Sequence, residues 1–281
     1  MALWFGGDDD VPELPEVETT RRGVAPLVVG RTVSSINVRE PRLRQPVPNN
    51  LAKLLTGRKL IAVDRRSKYL LFRFNTGTLI VHLGMSGSLR IVAPQTELRK
   101  HDHVEIIFDA AHCLRLHDPR RFGLMVWTRE PPGEHPLLHH LGPEPWDPIF
   151  DDAYLYQCAK GRKLSVKNFI MDGRIVVGVG NIYASESLHR AGVHPARAAG
   201  RVSQLRFAKL IASVREVLEE ALAVGGTTLR DFVKSDGEPG YFALELKVYA
   251  RAGEPCGGCG EPIRSTIIGQ RSSFYCPQCQ R

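Results

Sequence analysis

Four cysteines near the C-terminal end of the sequence have the spacing of a metal site. They form two CxxC pairs, Cys256 with Cys259 and Cys276 with Cys279, separated by sixteen residues. Each pair places two thiolates on one tight turn, and a hairpin can bring the two turns together around a tetrahedral Zn²⁺ at about 2.3 Å. Two disulfides or a redox CxxC are the alternatives. The spacing favours one Zn²⁺ ion, and it is structural because four protein ligands leave no open position.

Two short segments combine an apolar side chain with features suited to nucleic acid. Residues 82–87 place Met85 between glycines, and residues 118–123 place two arginines beside Phe122. An apolar wedge beside arginines is what a protein needs to open a base step and fill the gap. Taken singly, each segment is more typical of ordinary core or surface residues.

A glycine-rich turn at residues 178–186 indicates a phosphate site. Asn181 is the predicted N-cap of a helix there, and the free N–H groups of such a turn bind anions. Basic residues lie just upstream, among them Arg162 and Lys167. A plain helix cap explains the same pattern equally well.

The secondary structure that must position these residues is predicted to change from one part of the chain to the next. Apolar spacing predicts a helix over 16–29 and a helix that starts after Ser203 and runs to the glycines at 225 and 226. Between 32 and about 128, short β-type runs alternate with turn residues, which predicts an antiparallel sandwich or barrel. Six prolines lie within residues 131–148, so this stretch is the predicted linker.

Bulk composition bounds the class of protein. The chain has 281 residues, 43% hydrophobic residues and a formal net charge of +8, which fits a globular protein of two domains with a polyanionic partner. No apolar run approaches about 18 residues, so we expect no membrane contact. Residues 1–10 lack the pattern of a signal peptide, which predicts a cytoplasmic protein.

Ten segments between Pro12 and the C-terminus are, in order, PELPEVETTRRG, RRSKYLLF, HLGMSGSLR, KHDHVE, DPRRFG, LGPEP, MDGRIVVGVGNIYASE, GGTTLRDF, SDGEPGYF and QRSSFYCPQC. In sequence and in order, these segments resemble those of the formamidopyrimidine-DNA glycosylases, which remove oxidised purines from DNA.

The resemblance implies an α+β fold. Residues 12–130 would form a β-sandwich with a leading helix, 131–148 a linker, 149–245 a helical domain with a helix–two-turn–helix element, and 246–281 a zinc ribbon. Double-stranded DNA carrying oxidised bases or abasic sites would be bent in a basic cleft between the domains, with the damaged nucleotide flipped out. The protein would act as a monomer.

The resemblance also implies roles for single residues in a bifunctional glycosylase and lyase. Pro12 would attack the sugar C1′ and form a Schiff base, and Glu13 would act as general acid and base. Lys68 would assist β-elimination, and Arg271 would contact phosphate and assist δ-elimination. The residues that would contact DNA are His101, Arg120, Arg162, Lys167 and Asn181. The gap that the flipped nucleotide leaves in the duplex would be filled by Met85, Arg120 and Phe122. A loop around Ser235–Phe242 would cap the everted base.

The position of Pro12 within the chain conflicts with that chemistry. A proline nitrogen inside a chain is an amide, whose lone pair is delocalised into the carbonyl. We expect translation to begin at position 11, with removal of the initiator exposing Pro12 and leaving residues 1–11 absent from the active protein. A processed extension and a silenced relative are the alternatives.

Two other functions stay open at this point. An endonuclease VIII-like enzyme would act on oxidised pyrimidines instead, although Leu14 and the segment SDGEPGYF resemble the purine branch more closely. A zinc-ribbon protein that binds DNA without catalysis would match Glu13, Lys68 and Arg271 only by chance or descent.

Overall fold

The computed structural model describes residues 12–225 and 245–281. The described chain forms two compact units, one of residues 12–140 and one of residues 141–224 together with 245–281. Residues 1–11 and the expected capping loop around Ser235–Phe242 lie outside the described part. Among the described residues, no helix has the length and apolar character needed to cross a membrane.

The first unit opens with helix α1, Leu14–Val28. Glu13 and Glu16 form a reciprocal capping box, and Pro15 stands in the first turn, where a missing N–H has no cost. The buried face of the helix includes Val17, Val24 and Val28, in agreement with the predicted helix over 16–29.

Two antiparallel four-stranded sheets follow and make the predicted sandwich. In one, the strand order is β1-β6-β7-β5, and in the other it is β2-β3-β4-β8. The strands are β1 Ser35–Val38, β2 Leu60–Arg66, β3 Tyr69–Phe74, β4 Gly77–His82, β5 Ser88–Val92, β6 Asp102–Ile107, β7 Cys113–His117 and β8 Leu124–Thr128, with a short helix α2, Leu51–Leu55, before β2.

One hydrophobic core joins the two sheets and α1. Phe72 and Leu79 come from one sheet, Ile106 and Leu114 from the other, and all belong to the cluster that includes Val24. Large apolar side chains buried from both sheets stabilise the sandwich independently of the loops at its edges.

The second unit is helical, with α3 Asp152–Ala159, α4 Val166–Met171, α5 Asn181–Arg190 and α6 Gln204–Ala223. Ser203 caps α6 as predicted, since its side chain accepts from the backbone N–H of Arg206. The prediction of Asn181 as the N-cap of α5 was wrong by one residue. Gly180 is the N-cap, so Asn181 is the first residue of the helix.

A zinc-ribbon hairpin ends the chain, with β9 Arg264–Ile268 paired to β10 Arg271–Tyr275. Gly269 and Gln270 both have positive φ, at 58° and 63°, which is the geometry of a two-residue type I′ turn. This tight turn places Arg271 directly after the tip of the hairpin.

Candidate functional site

Pro12 and Glu13 lie next to each other directly before the first turn of α1. Both are buried, and Glu13 is the N-cap residue of the helix. The backbone N–H of Glu13 donates to a carboxylate oxygen of Glu16 at 2.9 Å. This bond fixes the direction in which the chain enters the helix, and therefore the position of the Pro12 nitrogen.

A buried carboxylate connects α1 to the turn that carries Lys68. Glu18 on α1 accepts from Arg65 at 3.3 Å, and Arg65 also donates to the backbone carbonyl of Ser67 at 2.8 Å. Ser67 has a φ of 55°, an uncommon backbone region for a residue with a side chain. The Glu18–Arg65 pair thus supports the strained residue directly before Lys68 and ties it to the helix that begins at Glu13.

The charge of Glu18 is stabilised by its surroundings. Burial opposes ionisation of this carboxyl, but hydrogen bonds from Arg21 and Arg22 and the charges nearby outweigh burial and lower the pKa of Glu18. Glu18 therefore stays ionised at neutral pH. Sequence reasoning did not select Glu18 or Arg65, although both lie inside the segments quoted above.

His82 is the last residue of β4 and the first residue of the segment that holds Met85. Burial first, and then the positive charges of Arg44 and Lys68, lower the pKa of His82 to about 3. The ring is neutral at physiological pH, so its Nδ1 can accept the backbone N–H of Gly84 at 2.9 Å. The tilted contact of this ring with Tyr69, at 4.8 Å between centroids, fixes its orientation.

The two predicted wedge segments meet in the first unit. Met85 is half-buried, whereas Arg120 and Phe122 are exposed. The Arg120 guanidinium lies 5.2 Å from the centroid of the Phe122 ring, within cation–π range. His101 lies beside the start of the second segment, where its backbone carbonyl accepts the N–H of Asp118 at 3.0 Å.

In the second unit, Asn181 is buried at the start of α5, near Tyr249. The Asn181 amide nitrogen lies 3.5 Å from the Tyr249 hydroxyl. Glu186, also on α5, accepts backbone N–H groups from Lys247, Val248 and Tyr249 at 2.8–3.0 Å. A carboxylate with three such donors fixes this backbone segment against α5, and sequence reasoning missed this role of Glu186.

Lys167 is buried inside the second unit, whereas the sequence suggested that it contacts DNA. Its side chain is fully buried, and Nζ donates to the carbonyl of Ser272 at 2.9 Å and to the hydroxyl of Ser273 at 2.6 Å. Lys167 on α4 therefore holds strand β10, whose first residue is the exposed Arg271. Arg162 is exposed, donates to the carbonyl of Cys158 at 2.7 Å and lies over the Phe169 ring.

The four predicted zinc ligands converge. The Sγ atoms of Cys256, Cys259, Cys276 and Cys279 all lie within 4.8 Å of one another. Tetrahedral Zn–S bonds of about 2.3 Å require sulfur atoms about 3.8 Å apart. The observed distances of 3.9 Å between Cys256 and Cys279 and 3.4 Å between Cys259 and Cys276 fit that requirement. One structural Zn²⁺ is the cofactor.

His189, in the last turn of α5, contacts the zinc cluster from outside. Its Nε2 lies 3.6 Å from Cys256 Sγ. Burial opposes ionisation of this thiol, but hydrogen bonds from the backbone of Gly258, from His189 and from the backbone of Cys259 lower the pKa of Cys256 to about 6. A donor to a ligating sulfur orients the ligand and tunes the site.

Three family models cover most of the chain. They are described as the formamidopyrimidine-DNA glycosylase N-terminal domain at residues 11–125, the formamidopyrimidine-DNA glycosylase H2TH domain at 141–233, and the zinc finger found in FPG and IleRS at 253–281. The sandwich, the helical unit and the zinc hairpin are thus those of a zinc-containing DNA glycosylase.

Relatives and solved structures agree with this class. Formamidopyrimidine-DNA glycosylases of Methylococcus capsulatus and Syntrophotalea carbinolica are 59% and 58% identical over 271 residues, which is 96% of this chain and all of theirs. MutM (Fpg) of Thermus thermophilus is 39% identical with a TM-score of 0.85, covering 96% of this chain and 98% of that one. Lactococcus lactis Fpg in complex with DNA containing an abasic site is 33% identical with a TM-score of 0.88, covering 96% and 100%. This chain belongs to the formamidopyrimidine-DNA glycosylase family.

The contact of His189 with Cys256 predicts slower loss of zinc than the four thiolates alone would give. A His189→Ala variant should release zinc to a chromogenic chelator about tenfold faster, the lower end of typical effects for a residue that supports a ligand. His140→Ala, at an exposed position in the other unit, is the matched control. Equal release rates for the wild type and His189→Ala would contradict the assignment.

The lowered pKa of His82 predicts a loss of stability in acid. Between pH 6.5 and about 3, the unfolded chain binds a proton at His82 that the folded chain does not, so the free energy of unfolding falls as pH falls. The slope is at most about 1.4 kcal/mol per pH unit. His82→Asn keeps a hydrogen-bond acceptor without titrating in this range.

Urea unfolding at pH 6.5, 5.5 and 4.5 measures this difference. The wild type should lose stability faster than His82→Asn across the series, whereas the exposed control His140→Asn should run parallel to the wild type. Parallel curves for all three proteins would show that the pKa of His82 is not lowered in the folded chain.

Proposed function

We propose that this chain excises 8-oxoguanine and formamidopyrimidines from DNA and then cuts the abasic strand, with the nitrogen of Pro12 as the nucleophile. The observation that carries the proposal is the position of Pro12 directly before the capping box of α1, beside Glu13. Membership of the family supports the class of activity, and the geometry supports this choice of nucleophile.

The steps balance without an external oxidant or reductant. The secondary amine attacks C1′, the C1′–N bond to the base breaks, and the base leaves with a proton. Glu13 exchanges a proton with the sugar ring as it opens to the iminium. The iminium acidifies the C2′–H bond, so loss of that proton expels the 3′ phosphate, and a second elimination expels the 5′ phosphate.

Lys68 and Arg271 have supporting roles in this proposal. Lys68 stands on the β2–β3 turn held by Glu18 and Arg65, and it assists β-elimination. Arg271 follows the tip of the zinc hairpin and stabilises the phosphate that leaves in δ-elimination. Zinc folds the ribbon and so fixes the hairpin that carries Arg271.

DNA contacts come from both units. We assign phosphate contacts to His101, Arg120, Arg162 and Asn181, and the filling of the vacated gap to Met85, Arg120 and Phe122. Lys167 contributes to phosphate binding through the hairpin that it holds, since its Nζ already donates to Ser272 and Ser273. We also assign the capping of the everted base to residues around Ser235–Phe242, which lie outside the described part of the chain.

The proposed function is accompanied by a proposed oligomeric state, location and domain division. We propose a monomer in the bacterial cytoplasm, bound to the nucleoid when it scans DNA, and a chain divided as sandwich 12–130, linker 131–148, helical domain 149–245 and zinc ribbon 246–281. Bacterial relatives support the location, and the three matched segments, 11–125, 141–233 and 253–281, support a division into three parts.

The chemistry requires a free amine, so we propose that the working chain begins at Pro12. An α-amino group has a reference pKa of about 7.7–8.0, which leaves a useful unprotonated fraction at neutral pH. The match to the family begins at residue 11, so residues 1–10 have no counterpart in it.

Borohydride trapping tests both the enzyme and its start. A chain beginning at Pro12, mixed with a duplex containing 8-oxoguanine and sodium borohydride, should form a covalent adduct, because borohydride reduces the imine. A chain that retains residues 1–11, verified by intact mass, should form none. No adduct from the shorter chain would leave only a DNA-binding protein. An equal yield from both chains would exclude Pro12 as the nucleophile.

Oxidised pyrimidines are the second candidate substrate. Lactococcus lactis Fpg has been crystallised with DNA containing an oxidised pyrimidine, at 32% identity to this chain. Cleavage of a thymine-glycol duplex faster than an 8-oxoguanine duplex would favour the endonuclease VIII-like alternative over the purine assignment.

A further inference from the structure

Two loops of the first unit, residues 83–87 and 118–123, contact each other along their backbones. We call them the paired loops. They carry Met85 on one side and Arg120 and Phe122 on the other. The Phe122 side chain is 44% exposed and Arg120 is exposed, so packing does not hold these side chains in place. Their position depends on what fixes the loop backbones.

Asp118, the first residue of the second loop, makes hydrogen bonds to both loops. The residue is fully buried, and its two carboxylate oxygens have different partners: Oδ1 accepts from the Ser86 hydroxyl at 3.0 Å and Oδ2 from the backbone N–H of Gly123 at 2.8 Å. Its backbone carbonyl also accepts from His103 Nε2 at 2.8 Å. One side chain therefore closes the loop at Gly123 and holds the other loop at Ser86.

Ser86 completes the connection from the first loop. Its hydroxyl donates to Asp118 and accepts the backbone N–H of Arg120 at 3.2 Å. Ser86 directly follows Met85, so one hydroxyl links the residues on both sides of the wedge. We call Ser86 and Asp118 the Ser86–Asp118 pair.

Gly84 permits the close approach of the paired loops. It has a φ of 72°, and a Cβ on it would collide with the backbone of Phe122 and Gly123. His82 Nδ1 fixes the same residue by accepting its N–H at 2.9 Å. The two loops thus form one unit, and a shift in either moves Met85 relative to Phe122.

We propose that the Ser86–Asp118 pair is a positioning device that holds Met85, Arg120 and Phe122 as one rigid wedge, and that it governs the opening of the base pair at the lesion. Neither residue is catalytic. The inference rests on the proposed function, since it concerns the step before Pro12 attacks. Rigid placement matters here because a wedge that can withdraw does not compete with base pairing and stacking.

The proposal predicts a difference between two substrates. Excision of 8-oxoguanine paired with cytosine requires a base pair to be opened, whereas a preformed abasic site has no base to remove from the stack. Loss of the pair should therefore slow base release from the 8-oxoguanine duplex and leave cleavage of the abasic duplex close to normal. A general defect in folding or in the Pro12 chemistry would slow both.

Single-turnover rates on both duplexes test the proposal with chains that begin at Pro12. Ser86→Ala should lower the rate of 8-oxoguanine release about tenfold, equivalent to the loss of one hydrogen bond, and change cleavage of the abasic duplex by less than about twofold. Asp118→Asn should act in the same direction, and Ser86→Thr, which keeps the hydroxyl, should restore the rate.

The matched control is Ser34→Ala, which removes a hydroxyl that donates to the Ile107 carbonyl at 2.9 Å elsewhere in the same sandwich. It should leave both rates unchanged. Equal losses on both substrates, no loss in Ser86→Ala, or the same loss in Ser34→Ala would overturn the inference while the proposed function stands. A wild-type chain that cleaves neither duplex would overturn the proposed function itself.

Discussion

A proline nitrogen is a nucleophile only at the end of a chain, because within a chain its lone pair belongs to the amide. The proposed reaction depends on this constraint, and the first unit is arranged around the residue it concerns. Helix α1 begins beside Pro12, the Glu13–Glu16 capping box fixes its first turn, and Glu18 with Arg65 connects it to the turn that carries Lys68. Pro12 and the turn that carries Lys68 are thus both connected to helix α1, whose apolar face is anchored in the sandwich core.

In the second unit, the residues proposed to contact phosphate stand on rigid elements. The zinc cluster folds the hairpin, Lys167 holds strand β10 from α4, and the type I′ turn sets Arg271 at its end. A structural metal serves this purpose because so short a segment buries few apolar side chains of its own. The buried lysine acts inside the protein, although its type and its basic neighbours in the sequence suggested a direct contact with DNA.

Local patterns predicted the elements well, since helix caps, strand alternation and CxxC spacing are all written in neighbouring residues. Helix α6, the sandwich and the four-cysteine site were confirmed in this way. The connections between elements were not predictable. Glu18 and Arg65 are 47 residues apart in the sequence, and Ser86 and Asp118 are 32 apart. Such pairs form only when the fold brings them together, and no periodicity marks them. The N-cap of α5 is Gly180 and not the predicted Asn181, because a glycine also suits that position.

In the proposed reaction, the covalent bond to the sugar forms at the nitrogen of Pro12. The direct measurement is peptide mapping by mass spectrometry of the borohydride-reduced complex between an abasic duplex and the chain that begins at Pro12. The reduced sugar should be found on the N-terminal peptide, at the proline nitrogen, with the peptide containing Lys68 unmodified. A reduced sugar on Lys68, with Pro12 unmodified, would contradict the account.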